Sequence, residues 1–417
     1  MKKYPFLILS LCVFYGCALG DRDTSSKGVS FKDSQMSSGD FQESRPKPLS
    51  NRKTSFFIRD SILEESDLAL ESWLDNSDFS RQTQESLKKA NKAHKKDIMS
   101  LSGNINKNWA SDEFEVSTTS KMVKYTDHYL SKSSIDFESG KIRIETIDKT
   151  NPKVALKNAI VTTLLTPKDP RGVDLYSDSE MKFDGKPFLA GLIKDNEGQD
   201  ILYEWRARKY ADFLVQTQAK QRKDTKGNKV YFVDLQMSKN YQALAGQNYQ
   251  SFAKKYAKLY NLEPALVMAI IHTESNFNPY AMSHVPAYGL MQIVPSTAGA
   301  DSHELITGKK GIPNKDMLFT AETNIQYGSA YLHILYNRYL KDIKDPKSQE
   351  YCVIAAYNTG SGNVLRAFHK DRKQAIVRIN SMSSQQVYKH LVGNLAEYEA
   401  RRYVQKVTNF KKQYIGL

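Results

Sequence analysis

From Ala265 to Ile271 the chain reads Ala-Leu-Val-Met-Ala-Ile-Ile, apolar on every side of a helix. Such a helix has no face to offer water, so other elements must wrap it. Pro264 suits its first turn, where no backbone N–H is needed. Asn278-Pro279 is expected to stop it. Glu274 lies four residues after Ile270 and therefore on the same face. Desolvation and the negative end of the helix dipole both disfavour its carboxylate form. Its pKa is expected to rise above the free value of about 4.3. A carboxyl held protonated in this way suits general acid cleavage of a glycosidic bond. The plain alternative is a helix-ending glutamate turned to solvent.

The chain has 417 residues, 40% of them hydrophobic, which allows two or three domains with real cores. Its formal net charge is +14 and its pI is about 9.3. A basic balance favours nucleic acid, an anionic membrane or an acidic cell-wall polymer. The eight histidines are scattered, and no zinc-ligand spacing or phosphate-binding glycine loop occurs. No metal and no cofactor are expected, and without a recognisable motif nucleic acid is not an expected partner.

The N-terminus reads as an export segment. Lys2-Lys3 is basic, Phe6 to Tyr15 is apolar, and the stretch is too short for a lone membrane span. It ends at Gly16-Cys17, which resembles a bacterial lipoprotein processing site, although Phe14 and Tyr15 depart from the usual pattern. Residues 1–17 are then the signal, with Cys17 as lipid anchor. Ala18 after the cysteine resembles an outer-membrane address. The competing reading is a cut after Ala18-Leu19-Gly20, before Asp21, which would release a soluble periplasmic protein. Of three cysteines only Cys352 would remain besides the lipidated one, in an apolar run, and it is expected to be a small core residue.

Residues 18–55, rich in Ser, Asp, Lys and Gly, read as a disordered tether. A polar helical stretch comes next, with Leu63, Leu68, Leu70 and Trp73 as contact residues. Ile135/Phe137 and Ile142/Ile144 alternate about Glu138–Lys141 as a hairpin. A helix starts at Asn151-Pro152, with Val154, Ala155, Leu156, Ile160, Leu164 and Leu165 on its apolar face. A second runs from about Gln199 to Lys220. Tyr231, Val233, Leu235 and Met237 then alternate as a strand. Residues 56–240 are therefore expected to form an α+β domain. Residues 245–417 are expected to form a mainly α-helical one, with helices at Phe252–Tyr260, Pro264–Ser275, Ala321–Leu340, Gln349–Ala356 and Tyr398–Tyr414.

Four signals lie in order along the second region. They are Glu274-Ser275, then Gly289-Leu-Met-Gln292 preceded by Ser283, then Ala356-Tyr-Asn-Thr-Gly-Ser-Gly362, then Glu399-Ala-Arg-Arg-Tyr403. Taken singly, each has a dull reading as turn, core or surface pair. Together, over about 249–414, they resemble the catalytic domain of soluble-type lytic murein transglycosylases. Upstream, the run from Asn158 to Ser177 and Gly185-Lys-Pro-Phe188 resemble the N-terminal domain of the membrane-bound lytic murein transglycosylase C family. Departures are Thr359 for an alanine, Ala400 for a threonine, and Pro286 ahead of Gly289.

The resemblance implies a lysozyme-like helical fold whose groove takes peptidoglycan glycan strands. It implies that Glu274 acts first as acid, then as base, on the bond between N-acetylmuramic acid and N-acetylglucosamine, leaving a 1,6-anhydromuramoyl end. By the same resemblance Ser283 and Gln292 contact the sugar, Tyr357 lines the groove, Asn358 orients Glu274, and Tyr403 meets an N-acetyl or oxocarbenium-like group. Ser275, Met291 and Glu399 support them, Glu399 as an interior member of a polar network. A hydrolase of the common type needs two carboxylates about the bond. The next acids are Asp301 and Glu304, and nothing in the sequence sets either opposite Glu274. A muramidase on the same fold and a binding lipoprotein with a dead site stay open as alternatives.

Overall fold

The computed structural model describes residues 57–75, 80–283 and 285–417. The expected signal, the Cys17 site, the tether and the side chain of Trp73 lie outside the described residues. Two antiparallel helices come first, α1 (Phe57–Asp75) and α2 (Arg81–Asn108). Leu70 is buried and Leu63 half-buried, but Leu68 is 61% exposed, contrary to its expected contact role. The helix turns Leu68 away because Ser66 and Leu70 face α2 instead, Ser66 on Asn91 and Leu70 beside Leu87.

Strands β1 (Lys121–Thr126), β2 (Ser131–Asp136), β3 (Lys141–Thr146), β4 (Lys220–Lys223) and β5 (Lys229–Gln236) form an antiparallel sheet in the order β1-β2-β3-β5-β4. The expected hairpin is β2–β3, with Ile135 opposite Ile142. Side chains alternate across the sheet. Ile135, Ile142, Ile144, Val233 and Leu235 go to one core with α3 (Pro152–Leu164) and α4 (Glu204–Thr217). Val123, Tyr125 and Val230 go to a second core under α2, with Trp109 and Phe114. The α3 apolar face is as expected except for Val154, which is 57% exposed in the first turn. The helix expected over 199–220 is shorter, since Lys220 already pairs with Phe232 as sheet edge.

The remainder is helical. It comprises α5 (Tyr241–Leu259), α6 (Pro264–Ser275), α7 (Ala300–Thr307), α8 (Lys315–Phe319), α9 (Ala321–Ile334), α10 (Pro346–Thr359), α11 (Ser361–Phe368), α12 (Arg372–Asn380), α13 (Ser384–Asn394) and α14 (Tyr398–Gln413). A π-turn extends α9 through Tyr339. Residues Ala265 to Ile271 are all buried, and α5 and α14 pack along α6 as its composition demands. Asn276, not Asn278, ends α6, in the left-handed conformation with φ 48° and its N–H on His272 O. Cys352 is fully buried in α10.

The sheet unit and the helical unit share one hydrophobic core. Phe137, Phe188 and Tyr280 form an aromatic run across it, with ring centroids 5.2 and 6.3 Å apart. The Tyr280 hydroxyl donates to Pro167 O, and Asn278 Nδ2 donates to Thr119 O at 3.1 Å. Tyr241, opening α5, donates to the carbonyls of Phe137 and Glu138 at 3.0 and 2.6 Å. Leu70 and Leu87 close a smaller cluster on Val285, Ala287 and Val294. The segment beyond Glu274 is thus held from outside by the N-terminal unit.

Truncating this small cluster tests that support. Leu87→Ala is expected to cost about 2–4 kcal/mol in denaturant unfolding. It is also expected to speed limited proteolysis between residues 283 and 294. An unchanged cleavage rate there would mean that α2 does not brace the segment.

Candidate active site

Glu274 stands in the last turn of α6 with its side chain half-buried. Tyr403, in α14 and 6% exposed, donates its hydroxyl to Glu274 Oε1 at 2.6 Å. The carboxyl is pushed up to about 8. Burial is the main cause. The neighbouring Glu399 charge adds to it, and the Tyr403 bond opposes both. At neutral pH Glu274 is therefore mostly an acid, not a helix-end carboxylate in water.

The chain reverses sharply beyond α6. Asn276 and Phe277 both take positive φ, 48° and 64°. Phe277 is fully buried, and its ring lies against Gly246 of α5. Gly289 has φ 74°, and a Cβ there would lie 2.4 Å from Leu318 O and 2.6 Å from Asn324 Nδ2. Only glycine fits, because both the backbone angle and the space exclude a side chain. Asn324, fully buried in α9, binds this turn directly. Its Oδ1 accepts from Met291 N–H at 2.7 Å, and its Nδ2 donates to the carbonyls of Tyr288 and Leu318. Sequence reasoning misses Asn324, because no motif surrounds it. The available signal is one buried-capable amide on an otherwise apolar helix face.

The residues expected from the sequence divide into those the groove gathers and those it does not. Ser275 is fully buried, and its hydroxyl donates to Ile271 O and Leu290 O, tying α6 to the Gly289 turn. Met291 is buried against Gly328 of α9. Gln292, at φ 47°, donates from Nε2 to Ala281 O and Gly289 O, which leaves its buried Oε1 without a partner among the described residues. Tyr357 donates to Met291 O at 2.9 Å. Gln292, Tyr357 and Asn358 line one cavity of about 420 Å³. Ser80 and Thr83, at the start of α2, stand in its wall, and so does Asp301.

Ser283 has partners of its own. Its Oγ donates to Val285 O and accepts from Ala287 N–H, which closes its own loop. Asn358 lines the cavity, but the bond to Glu274 comes from Tyr403. Glu399 is exposed rather than interior, because α14 begins at Tyr398 and its first turn stands at the rim. Dense surroundings and nearby Glu397 still hold the Glu399 carboxyl above its usual range.

The Glu274 shift has a stability consequence. The folded chain keeps a proton that the unfolded chain loses above pH 4.5, so stability falls as pH rises toward about 8. Glu274→Gln has no proton to lose. Its melting temperature should exceed that of the unmutated protein by a margin that grows from pH 4.5 to about 8 and then levels. A margin independent of pH would mean that the carboxyl titrates normally.

Comparison with known proteins bears on the same segments. The family profile described as membrane-bound lytic murein transglycosylase C, N-terminal domain, matches residues 85–248. The transglycosylase SLT domain matches residues 251–380, which leaves Glu399 and Tyr403 beyond it. The protein named membrane-bound lytic murein transglycosylase C from Serratia proteamaculans is 44% identical over 313 residues, 75% of this chain and 87% of that one. Its namesake from Yersinia pestis is 43% identical over the same shares. A solved inactive mutant of lytic transglycosylase Slt from Pseudomonas aeruginosa aligns with 40% of this chain and 24% of that one, at 25% identity and TM-score 0.29. That structural likeness is too weak to carry an argument. The sequence matches reach both units and include α6 with its carboxyl, and the chain accordingly belongs to the membrane-bound lytic murein transglycosylase C family, enzymes that cleave peptidoglycan.

Proposed function

We propose that Glu274 performs both proton transfers of the transglycosylase reaction. Its protonated carboxyl gives the proton to the oxygen joining N-acetylmuramic acid to N-acetylglucosamine. The C1–O bond breaks, and the N-acetylglucosamine side leaves with a free 4-hydroxyl. The resulting Glu274 carboxylate removes the proton from the muramoyl 6-hydroxyl, whose oxygen bonds to C1. A 1,6-anhydro ring forms, no water is consumed, and the acid is restored. The observation that carries this reading is the carboxyl of Glu274 held up to about 8 with a single hydroxyl donor, Tyr403. One group poised near neutrality can serve as acid and then base.

Gln292, Tyr357 and Asn358 supply the sugar contacts in this proposal. Gln292 lines the cavity beside Tyr357 and Asn358, where an amide can orient a sugar. The Tyr403 hydroxyl stabilises the Glu274 anion between the two transfers. Ser275 and Met291 keep the turn in place, Ser283 positions its own loop, and Glu399 acts on Glu274 through its charge.

Mass spectrometry of fragments released from murein tests the assignment. The unmutated protein should release muropeptides with 1,6-anhydromuramoyl ends, and Glu274→Gln should release none. Reducing ends would indicate hydrolysis, and anhydro products from Glu274→Gln would move the acid role elsewhere.

The placement of the enzyme is part of the same proposal. Its relatives are named membrane-bound, and Gly16-Cys17 suits a lipid anchor on the outer membrane facing the periplasm. Among the described residues no helix is long and apolar enough to cross a membrane. Cys17→Ala should lose palmitate labelling and move from the membrane to the soluble fraction. Retention of both would mean another anchor, and an unmutated protein that is itself soluble and unlabelled would mean the cut before Asp21.

A further inference from the structure

Helix α9 meets the catalytic segment through Asn324 and Gly328, four residues apart and so on one face. Asn324 is fully buried, and its amide is satisfied on both flanks of Gly289. Its Oδ1 accepts from Met291 N–H at 2.7 Å, and its Nδ2 donates to Tyr288 O at 2.7 Å and Leu318 O at 2.8 Å. The amide has one workable orientation, because turning it round would set its oxygen against two carbonyls. Gly328 is buried one turn further along α9. A Cβ there would lie 2.6 Å from Met291 Cε and 2.9 Å from Met291 Cβ. The side chain that Gly328 lacks is therefore the space that Met291 occupies.

Both contacts converge on one residue, and the cavity residue Gln292 follows it directly. Met291 is fixed on its N–H by Asn324, on its C=O by the Tyr357 hydroxyl, and on its side chain by Gly328. Gln292 then takes φ 47°, an angle that a residue with a side chain keeps only where its surroundings over-determine it. Its Nε2 is tied back to the same turn, donating to Gly289 O at 2.8 Å. Glu274 is held differently, since the bond to its carboxyl comes from Tyr403 of α14.

We propose that Asn324 and Gly328 are positioning residues of the transglycosylase reaction, acting through Met291 on Gln292. Helix α9 sets where the Gln292 amide meets the sugar, while the proton transfers stay with Glu274. This rests on the reading that Gln292 is a sugar contact.

The test measures kcat, KM and released products with the full chain on murein strands. Gly328→Ala pushes Met291 aside, and kcat/KM should fall about tenfold to a hundredfold. Alanine is favoured over glycine inside a helix, which offsets the crowding, so the melting temperature should stay close to that of the unmutated protein. Asn324→Asp keeps an acceptor for Met291 N–H but loses both amide donors, and kcat/KM should fall to a similar degree. In both variants the products should keep their 1,6-anhydromuramoyl ends. The fall of kcat/KM with rising pH should stay near the Glu274 value of about 8. A general loosening that let water reach the carboxyl would move that fall to lower pH. In a Gln292→Ala background, Gly328→Ala should cost no more than about threefold further, because the group it positions is gone. An unchanged kcat/KM, a displaced pH profile, or equal losses with and without Gln292 would each overturn the positioning role. Full activity of Gln292→Ala alone would show instead that the sugar-contact reading has failed, and the positioning role would fall with it.

Discussion

The burial of α6 governs the rest of the molecule. A helix apolar on all sides is stable only where it is fully wrapped, and α5 and α14 supply that wrapping. In its last turn Glu274 is half-buried against Tyr403 of α14. The same packing that hides Ile270 and Ile271 desolvates the carboxyl and raises its pKa. Core formation and the proton-donor state of Glu274 are one physical effect.

Beyond α6 the backbone is costly, with positive φ at Asn276, Phe277 and Gln292, none of them glycine. Such angles persist only where surrounding contacts over-determine them. Three supports do so here. Asn324 pins the Gly289 turn from within the helical unit, and Ser275 ties that turn back to α6. The N-terminal unit grips the outside of the segment through Asn278, Tyr280, Val285 and Val294. This gives the N-terminal unit a concrete task. It buttresses the segment that carries Gln292 and contributes Ser80 and Thr83 to the cavity wall.

Legibility in the sequence depended on the kind of force at work. The α6 core, the β2–β3 hairpin and the raised Glu274 were readable because they arise from local apolar pattern. Strands β1 and β4 were not, and each for its own reason. In β1, Lys124 is buried with its ammonium on the carbonyls of Asp174 and Ser177, so a polar residue fills an inward position. The residues of β4, Lys-Gln-Arg-Lys, suit a sheet edge, where charge blocks further pairing. Asn324, Asp301 and the bond from Tyr403 to Glu274 join residues far apart in sequence, and no periodicity encodes them. Ser283, bonded within its own loop, and Glu399, exposed on α14, show the converse. A motif position carried over by resemblance fixes neither a hydroxyl's partner nor a carboxyl's depth.

In the proposed mechanism a single carboxyl must be both a willing donor and a tolerable anion, and these demands conflict. Burial alone would favour the acid so strongly that the carboxylate left after the first transfer would be too high in energy. A solvated carboxylate would never hold the proton. Tyr403 resolves the conflict from one side, because its short bond to Oε1 favours the anion. Glu399 acts from the other, adding a like charge from the rim that restores the acid. Both residues sit one turn apart on α14, the helix that also wraps α6. Burial sets the direction of the Glu274 shift, and α14 trims it from both sides through Tyr403 and Glu399.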